Sequence, residues 1–219
     1  MVRDGFFYAL GLAVVATLLW LLTLPKVLIA VPIVLAIFFL WFFRDPNRAI
    51  PGGPGDIVSP ADGVVTASEW IETSAGSRLR LSIFLNVFDV HVNRAPVAGV
   101  VKVVEHRHGG FQNAMKPESV LTNEQTLVVI DGGGFEVSYK QIAGLLARRI
   151  VCAVKVGDTV ARGQRVGMIK FGSRVDILIP ADALPQVKPG TRVRGGSSVL
   201  AILPQSPASS PRAGTAAVS

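Results

Sequence analysis

The stretch MIKFGSRVDILIP, residues 168–180, contains a glycine and a serine inside a segment that otherwise has the pattern of a strand. Its apolar residues alternate with charged ones, as expected for a half-buried strand. Glycine weakens a strand and usually marks a bulge or a close approach of the backbone. Gly-Ser pairs also occur at 76–77 and 196–197, but only Gly172-Ser173 has strand-like apolar residues on both sides. The pair is a candidate site, although a small residue in a bulge explains it equally well.

An aspartate and a histidine are the next candidates for chemistry. Asp62 lies in the tetrapeptide PADG, and an aspartate before a glycine is typical of a turn. His91 follows Asp89 by two residues in NVFDVHVNRAP, so an extended backbone would put both side chains on one face. A single histidine near a strand end is more typical of a structural hydrogen bond than of catalysis. Neither residue indicates a function by itself.

Two further histidines and the single cysteine have predominantly structural interpretations. His106 and His108 in EHRHGG have a spacing that could bind a metal, but the sequence offers no evident third ligand nearby. We therefore predict a solvated loop and no metal site. Cys152 excludes an internal disulfide and a cysteine-rich metal site, and its apolar context IVCAV predicts a buried structural thiol.

These residues follow an N-terminal region that is strongly apolar. Residues 5–24 form twenty uncharged positions, and residues 27–43 form a second uncharged run. A bilayer core of about 30 Å requires about twenty apolar residues of helix. A signal peptide would have a shorter apolar run and a cleavage site rich in small residues, so we predict a membrane hairpin over residues 1–44. Pro32 leaves open whether the second helix spans or re-enters.

The charges suggest the orientation of the hairpin and the nature of its partner. Arg3 precedes the first run, and Arg44 and Arg48 follow the second, whereas the connecting turn contains only Lys26. This distribution predicts that both ends, and the following domain, lie on the cytoplasmic side of the cell membrane. The net charge is +7 and the pI is about 10.1. We expect an anionic lipid surface as the partner, and not nucleic acid, because no stripe of mixed aromatic and basic residues is present.

The remainder of the chain predicts a mainly β domain. A linker rich in proline and glycine, residues 45–55, precedes the domain at 56–203, and residues 204–219 have the composition of a disordered tail. QIAGLLARRI is the only contender for a helix in this domain, and its Gly144 argues against one. The predicted strands are 57–59, 63–67, 79–85, 97–104, 126–130, 135–139 and 150–154.

Two internal repeats refine this fold prediction. SPADGVV at 59–65 resembles APVAGVV at 95–101, and VKVGDTVARGQRVGMI at 154–169 resembles VKPGTRVRGGSSVLAI at 187–202. The second pair is similar to the hairpins of biotinyl and lipoyl carrier domains. We expect a compact, twisted, mostly antiparallel β fold with quasi-duplicated parts.

Taken in order, SPADG, FDVHVNRAP, QIAGLLARRIVC and IKFGSRVD, after an apolar N-terminus and FFRDPNR, resemble the phosphatidylserine decarboxylase proenzymes of the short, archaeal-like bacterial branch. The resemblance covers about residues 40–185. It implies an enzyme of phospholipid biosynthesis that converts phosphatidylserine to phosphatidylethanolamine. It also implies that the chain cuts itself between Gly172 and Ser173 into a large chain, 1–172, and a small chain, 173–219, which stay together as a heterodimer.

The resemblance further implies how the cut supplies the cofactor. Ser173 would attack the carbonyl of Gly172, and glycine suits this step because its backbone admits strained conformations. Ser173 would then become a covalent pyruvoyl group, which forms a Schiff base with the amine of the serine headgroup and acts as the electron sink. No separate cofactor and no metal are expected.

Roles for the other motif residues also come from the resemblance. Asp62 matches an aspartate that orients a histidine for activating the serine, and His91 matches a histidine associated with proton transfer during decarboxylation. Arg94 stands where the family motif has a second histidine. Arginine is practically never deprotonated and cannot act as that base, so Arg94, with Asn93, is predicted to bind substrate. Our hypothesis is that His91, helped by Asp62, serves both self-cleavage and turnover.

Two other functions remain open at this point. A membrane-anchored, lipoyl-like adaptor would explain the glycine–valine repeats and the apolar N-terminus, although the coiled-coil hairpin usual in such adaptors is missing from the sequence. A decarboxylase of a related serine phospholipid, such as an ether-linked analogue, would use the same chemistry. The sequence leaves the oligomeric state open.

Overall fold

The computed structural model describes residues 2–74, 76–115, 118–145, 149–170 and 173–204. Two apolar helices come first, α1 at Arg3–Leu21 and α2 at Lys26–Phe42. They pack against each other as a hairpin, with a tilted contact between the rings of Tyr8 and Phe39 whose centroids are 5.2 Å apart. Helix α2 continues through Pro32. The predicted two-helix hairpin is therefore present.

The rest of the described chain is almost entirely β structure. A single turn of helix, α3 at Ser119–Thr122, interrupts it. The strands are β1 Asp56–Val58, β2 Gly63–Thr73, β3 Gly76–Leu85, β4 Val92–Arg94, β5 Gly99–Arg107, β6 Gln125–Asp131, β7 Glu136–Ile142, β8 Arg149–Cys152, β9 Thr159–Val160, β10 Arg165–Lys170, β11 Ser173–Pro180, β12 Leu184–Pro185, β13 Arg192–Val193 and β14 Val199–Ile202.

These strands form three antiparallel sheets around one core. The largest has eight strands in the order β13-β2-β3-β11-β7-β6-β5-β9, and two sheets of three have the orders β4-β10-β8 and β1-β14-β12. Strand β11 lies in the interior of the large sheet, paired with β3 on one side and β7 on the other. Its alternate residues Val175, Ile177 and Ile179 are fully buried in the core. The predicted mainly antiparallel β fold is confirmed.

The first internal repeat corresponds to a repeated backbone feature. Gly63 and Gly99 have φ angles of 150° and 156°. A Cβ on either glycine would collide with a carbonyl of the neighbouring strand, that of Phe84 or that of Asp131. Each glycine opens a strand that has a bulge at the same offset from it. Glycine is required at both positions because the adjacent backbone is too close for a side chain.

The second repeat also has the same structure in both copies. Gly157 and Gly190 have φ angles of 92° and 90°. The amide of Gly157 donates to the carbonyl of Val101 at 2.9 Å, and the amide of Gly190 donates to that of Val65 at 2.8 Å. Since Val101 and Val65 are themselves equivalent positions of the first repeat, the two repeats are parts of one duplicated unit. The predicted quasi-duplication is confirmed.

Comparison with the predicted elements shows where the sequence pattern was incomplete. Each of the seven predicted strands overlaps an observed one, and the domain's first strand begins at Asp56. The short strands β4, β9, β12, β13 and β14 and the turn of helix α3 were not among the predicted elements, because two to four residues are too few to show a period. The contender QIAGLLARRI is strand at both ends, and its residues 146–148 lie outside the described residues. The predicted tail lies outside them from residue 205 onward.

A second, smaller apolar cluster joins the helical hairpin to the β domain. Phe42 and Phe43, at the end of α2, are fully buried against Val90, Val92 and Met168. The last two of these lie on β4 and β10, which are neighbours in a three-stranded sheet. The end of the hairpin that contains Phe42 and Phe43, here called its inner end, is thus packed directly on β4 and β10, which lead to the candidate site.

Candidate active site

The candidate serine lies where the chain changes sheets. Strand β10 ends at Lys170 in a three-stranded sheet, and β11 begins at Ser173 in the large sheet, opposite Leu85 of β3. Only residues 171 and 172 separate the two strands, and they lie outside the described residues, Gly172 of the predicted site among them. The interruption noted in the sequence therefore coincides with a transfer of the chain between sheets.

The hydroxyl group of Ser173 is buried without a hydrogen-bond partner among the described residues. The residue has no solvent exposure, and its Oγ is one of the buried polar atoms without a partner. Leaving a buried hydroxyl unpaired costs on the order of 1–3 kcal/mol, so such groups are rare and call for an explanation. A reactive role is one explanation, because an unpaired Oγ has its lone pairs available for attack.

His91 is next to this junction. It precedes β4, and its carbonyl accepts a hydrogen bond from the amide of Ile169 on β10 at 3.3 Å. Its ring nitrogen Nδ1 lies 2.9 Å from the carbonyl oxygen of Asp89. Because a carbonyl can only accept, Nδ1 carries the proton, and Nε2 is the basic nitrogen of the neutral ring. This is the tautomer that a general base requires.

The surroundings of His91 keep its imidazole neutral. The side chain is fully buried, and the ring of Phe42 lies against it with a centroid separation of 4.5 Å. Burial lowers the pKa of His91 from 6.5 to about 4, because a charged imidazolium would lose its hydration. Its hydrogen bond to Asp89 and the charge of Asp89 oppose this shift, and the charge of Arg44 adds to it. At neutral pH His91 is a base and not an acid.

Asp89 anchors the loop that holds His91. Its Oδ2 accepts from the amide of Asn86 at 3.0 Å, and its Oδ1 accepts from Nη2 of Arg192 at 2.5 Å. The carboxylate is about 5% exposed. The aspartate and histidine that the sequence placed on one face are thus linked through the Asp89 backbone, while the Asp89 carboxylate ties the loop to β13.

Asp62 is held by other partners than His91. Its Oδ2 accepts from Nη2 of Arg48 at 2.7 Å, and its Oδ1 accepts from the amide of Gly195 at 2.7 Å. Both carboxylate oxygens are therefore engaged, and the described hydrogen bond of the His91 ring goes to Asp89. Asp62 therefore connects the linker, through Arg48, to the loop between β13 and β14, through Gly195. Its predicted role in orienting His91 stays a prediction.

Arg94 and Asn93 are buried among partners from the protein itself. Arg94 donates to the carbonyl of Gly163 at 3.0 Å, to Oδ1 of Asp45 at 2.9 Å and to the carbonyl of Pro46 at 3.1 Å. Asn93 accepts from Nε2 of Gln141 at 2.8 Å. Arg94 therefore fastens the linker to the β domain, and its fork is occupied in this state. Substrate binding by either residue stays a prediction.

Comparisons with known proteins place this arrangement in a family. The family model described as phosphatidylserine decarboxylase matches residues 35–201, which include the residues described above. The chain belongs to the phosphatidylserine decarboxylase family. A relative from Solibacter usitatus, named phosphatidylserine decarboxylase proenzyme, is 50% identical over 202 residues, which are 92% of this chain and 96% of the relative.

Two further relatives have the same name. The protein from Chlorobium phaeovibrioides is 44% identical over 86% of this chain and 89% of its own length, and that from Ralstonia nicotianae is 48% identical over 77% and 80%. The resemblance predicted from the four motifs is confirmed, and so is the prediction of an enzyme of the decarboxylase class. Membership of the phosphatidylserine decarboxylase family argues against the alternative of a lipoyl-like adaptor.

Lys170 forms a buried contact beside the candidate site that the sequence pattern did not predict. Its Nζ forms an ion pair of 2.7 Å with Oδ2 of Asp4, on the first turn of α1, and lies over the ring of Phe43 at 5.6 Å from its centroid. The Lys170 side chain is 9% exposed. The only signal in the sequence was an aspartate beside the apolar run, so the pairing of residues 166 positions apart could not be foreseen.

A second unforeseen cluster follows the serine directly. Nε and Nη2 of Arg174 donate to the two carboxylate oxygens of Asp176 at 2.6 and 3.0 Å, and Nη2 also donates to Oγ of Ser82 at 2.8 Å. All three residues are buried. The alternating charges in RVD read as the solvent-facing side of a strand, but the structure buries them in a bidentate ion pair on the face opposite the core.

Proposed function

We propose that this chain is a proenzyme that cuts itself between Gly172 and Ser173 and then decarboxylates phosphatidylserine to phosphatidylethanolamine. Relatives that match most of the chain are named phosphatidylserine decarboxylase proenzymes, and this name supports both the substrate and a precursor that is cut. The observation that carries the proposal is the Oγ of Ser173, buried and without a partner among the described residues, at the start of β11. The proposed reaction needs a reactive hydroxyl at this position, whereas most buried structural hydroxyls in proteins are hydrogen-bonded.

The cleavage step follows from the chemistry of a serine side chain. Oγ of Ser173 attacks the carbonyl carbon of residue 172, the C–N bond breaks, and the hydroxyl proton ends on the released amine. The resulting ester then loses the α-proton of residue 173 and the carboxylate of residues 1–172, which leaves a dehydroalanine. Water displaces the nitrogen as ammonia, and a pyruvoyl group remains on the amide of Arg174.

The pyruvoyl group would supply a ketone that captures the substrate amine and accepts the electron pair left when carbon dioxide departs. The surrounding residues suit a group fixed at this position. Strand β11 is bonded on both sides, to β3 and β7. The contacts of Arg174 with Asp176 and Ser82 hold the first residue after the group rigidly, which is what orientation of a reacting centre requires.

His91 is the proposed base for activating Ser173. A neutral imidazole with the proton on Nδ1 can accept the hydroxyl proton at Nε2. The hydrogen bond to the Asp89 carbonyl and the lowered pKa both favour this form at neutral pH. An arginine cannot supply this function, so Arg94 does not replace His91. We propose that the same imidazole returns a proton to the substrate carbon during turnover. Asp62 would help by fixing the linker and the loop before β14 through its hydrogen bonds with Arg48 and Gly195.

The helical hairpin is proposed to hold the enzyme at the cell membrane. By length and composition α1, with 19 residues, is the helix among the described residues that could cross a bilayer, whereas α2 has 17. Most apolar side chains of both helices are exposed. Phe88, 68% exposed, packs on Trp41 at the inner end of the hairpin, where Arg44 also lies over the Trp41 ring. Such aromatic residues favour a membrane interface.

The cytoplasmic orientation rests on the arginines that flank the hairpin. Arg3 is the first residue of α1, and Arg44 and Arg48 follow α2. An anionic lipid surface would attract these charges as well as the net charge of +7. A substrate embedded in that surface would reach the His91 loop from the side of Phe88.

Intact-mass measurement of the purified protein tests the proposal directly. Dividing 23.2 kDa among 219 residues gives about 0.106 kDa per residue, so the 47 residues from 173 to 219 should form a fragment of about 5 kDa. The fragment should be absent from Ser173→Ala, which should also fail to release carbon dioxide from phosphatidylserine. Parallel assays with diacyl and ether-linked phosphatidylserine would separate the two substrate classes. Active protein with a continuous chain would refute the proposal.

A further inference from the structure

Two histidines and a glutamate meet at the end of the hairpin formed by β5 and β6. In this antiparallel pair His106 lies opposite Thr126, and Arg107 lies opposite Gln125. Continuing the same register by one step places His108 opposite Glu124. Because alternate residues of a strand share a face, His106, His108, Thr126 and Glu124 all lie on one side of the sheet. The third ligand that was not evident in the sequence is Glu124, the residue directly before β6.

The side chains of this cluster converge. Nε2 of His106 lies 3.7 Å from Oε1 of Glu124, and the rings of His106 and His108 are nearly perpendicular with centroids 4.8 Å apart. One potential ligand atom from each of the three residues lies within 4.8 Å of the others. A tetrahedral ion with ligands at about 2.0–2.2 Å separates its ligand atoms by a little over 3 Å, so small side-chain rotations would complete the site.

Two observations indicate that the site is supported by its surroundings. Nδ1 of His106 lies 2.9 Å from Oγ1 of Thr126, so a proton on Nδ1 can be donated to that hydroxyl while Nε2 turns its lone pair toward Glu124. Metal-binding histidines are usually held by such a second hydrogen bond. The backbone of Glu124 is fixed on both sides, since its amide donates to Gly110 at 3.0 Å and its carbonyl accepts from Ala143 at 2.9 Å.

We propose that His106, His108 and Glu124 bind one divalent cation of the zinc type. Two imidazoles and one carboxylate are a ligand set that zinc uses, with a fourth position left for water. The alternative is an ion pair between a protonated His106 and Glu124, in which His108 has no part. The site shares no residue with the proposed catalytic group of Ser173, His91 and Asp62, and the proposal is independent of the decarboxylation chemistry.

The position of the site gives the cation a structural function. It would join His108, the residue after β5, to Glu124, the residue before β6, and so link the two ends of the segment between these strands. Glu124 is in turn bonded to Ala143, which follows β7, and β7 pairs with β11. We therefore expect the cation to stabilise the loop region beside the large sheet and to have no direct part in catalysis.

Zinc binding to the full-length protein in detergent, prepared without a histidine tag, tests the proposal. Calorimetric titration with zinc chloride should give one ion per chain, and His108→Asn and Glu124→Gln should each weaken binding by more than about tenfold. Thr126→Val should also weaken it, whereas Thr126→Ser should not. Glu105→Gln is the matched control, because it removes the same charge from the adjacent residue of β5, which points to the other face.

Thermal unfolding supplies a second measurement. Zinc at one fixed concentration should raise the Tm of the wild type and of Glu105→Gln equally, and should raise that of Glu124→Gln clearly less, since stabilisation by a ligand falls as its Kd rises. Circular dichroism without zinc establishes that each variant is folded. Undetectable binding in the wild type would overturn the proposal. Equal binding in the wild type and His108→Asn would also overturn it and would favour the ion pair or an adventitious ion.

Discussion

The ring of Phe42 lies on the imidazole of His91, with their centroids 4.5 Å apart and their planes inclined by 35°. Phe42 is the last residue of α2, and His91 lies beside the strand that leads to Ser173. One end of the apolar hairpin therefore forms a wall of the candidate active site. The hairpin therefore contributes to the electrostatics of the site, because its Phe42 ring excludes water from the imidazole.

Removing that ring should change the pKa of His91. In an uncut Ser173→Ala background, Phe42→Ala admits water to the imidazole, so the pKa should rise from about 4 toward 6.5. Phe42→Leu keeps an apolar neighbour and should give a smaller rise. NMR titration of the imidazole protons measures both, and the chain has only three histidines to assign. An unchanged pKa in Phe42→Ala would contradict the role given to this contact.

Stability should depend on pH through the same histidine. The folded pKa of about 4 lies below the unfolded value of 6.5, so the unfolded chain binds the proton more tightly. The free energy of unfolding should therefore fall as the pH falls from about 6.5 toward 4, by on the order of 3 kcal/mol from this group. Urea unfolding of Ser173→Ala, compared with Ser173→Ala carrying His91→Gln, isolates the contribution. Parallel pH dependences in the two proteins would exclude it.

The ion pair between Asp4 and Lys170 should stabilise the contact between hairpin and β domain. Asp4→Asn leaves the buried ammonium group without its partner, and we expect a loss of about 1–2 kcal/mol, since Asp4 itself is 42% exposed. Asp4→Glu should recover most of the loss. Urea unfolding in detergent measures the free energy. The rate at which the 5 kDa fragment appears tests whether the weakened contact also affects cleavage of the bond between residues 172 and 173. We expect slower cleavage in Asp4→Asn.

Substitution of Arg94 distinguishes a structural role of this side chain from a role in substrate binding. Its guanidinium group is engaged by Asp45, Pro46 and Gly163, and a lysine cannot reproduce that fork. We expect Arg94→Lys to lower the free energy of unfolding by about 1–3 kcal/mol while the KM for phosphatidylserine changes less than twofold. Arg192→Lys, an exposed arginine bound to Asp89, is a suitable comparison. A large rise in KM with unchanged stability would support the predicted substrate-binding role of Arg94.

The two chains produced by cleavage should remain associated. The small chain contains β11, which is paired with β3 and β7 of the large chain, and Arg192, which binds Asp89. Separating them would expose the apolar residues of β11 and break the four strand ladders that join the two chains among the described residues, β11 with β3 and β7, β14 with β1, and β13 with β2. The fragment of about 5 kDa should therefore coelute with the large chain in size-exclusion chromatography and separate only in denaturant. Dissociation in native buffer would contradict this arrangement.

Much of the fold followed from local patterns. The uncharged runs predicted α1 and α2, and alternation with glycine breaks predicted the longer strands. The repeats predicted a duplication, since equivalent glycines are needed wherever equivalent backbones approach closely. The very short strands were not predicted, because pairing with neighbouring strands defines them and their own few residues show no pattern.

The site was predictable in part. The order of four motifs identified the family and directed attention to Ser173, His91 and Asp62. The contacts of these residues were not predictable, because the path of the backbone and the burial of each group decide which neighbours meet, and spacing along the chain does not. The hydrogen bond of His91 goes to Asp89, Asp62 is bound by Arg48 and Gly195, and the charges of Arg174 and Asp176 are buried together.

Composition, periodicity and motif order are properties of the chain, and they were enough to predict the class of protein, the two apolar helices and the residue types available for chemistry. Which of those residues meet became visible in the folded structure alone. It placed the His91 ring under Phe42, Lys170 beside Asp4, and Glu124 beside two histidines. Strand register and helix docking set burial and neighbouring charge, and these control the protonation state and reactivity of a side chain.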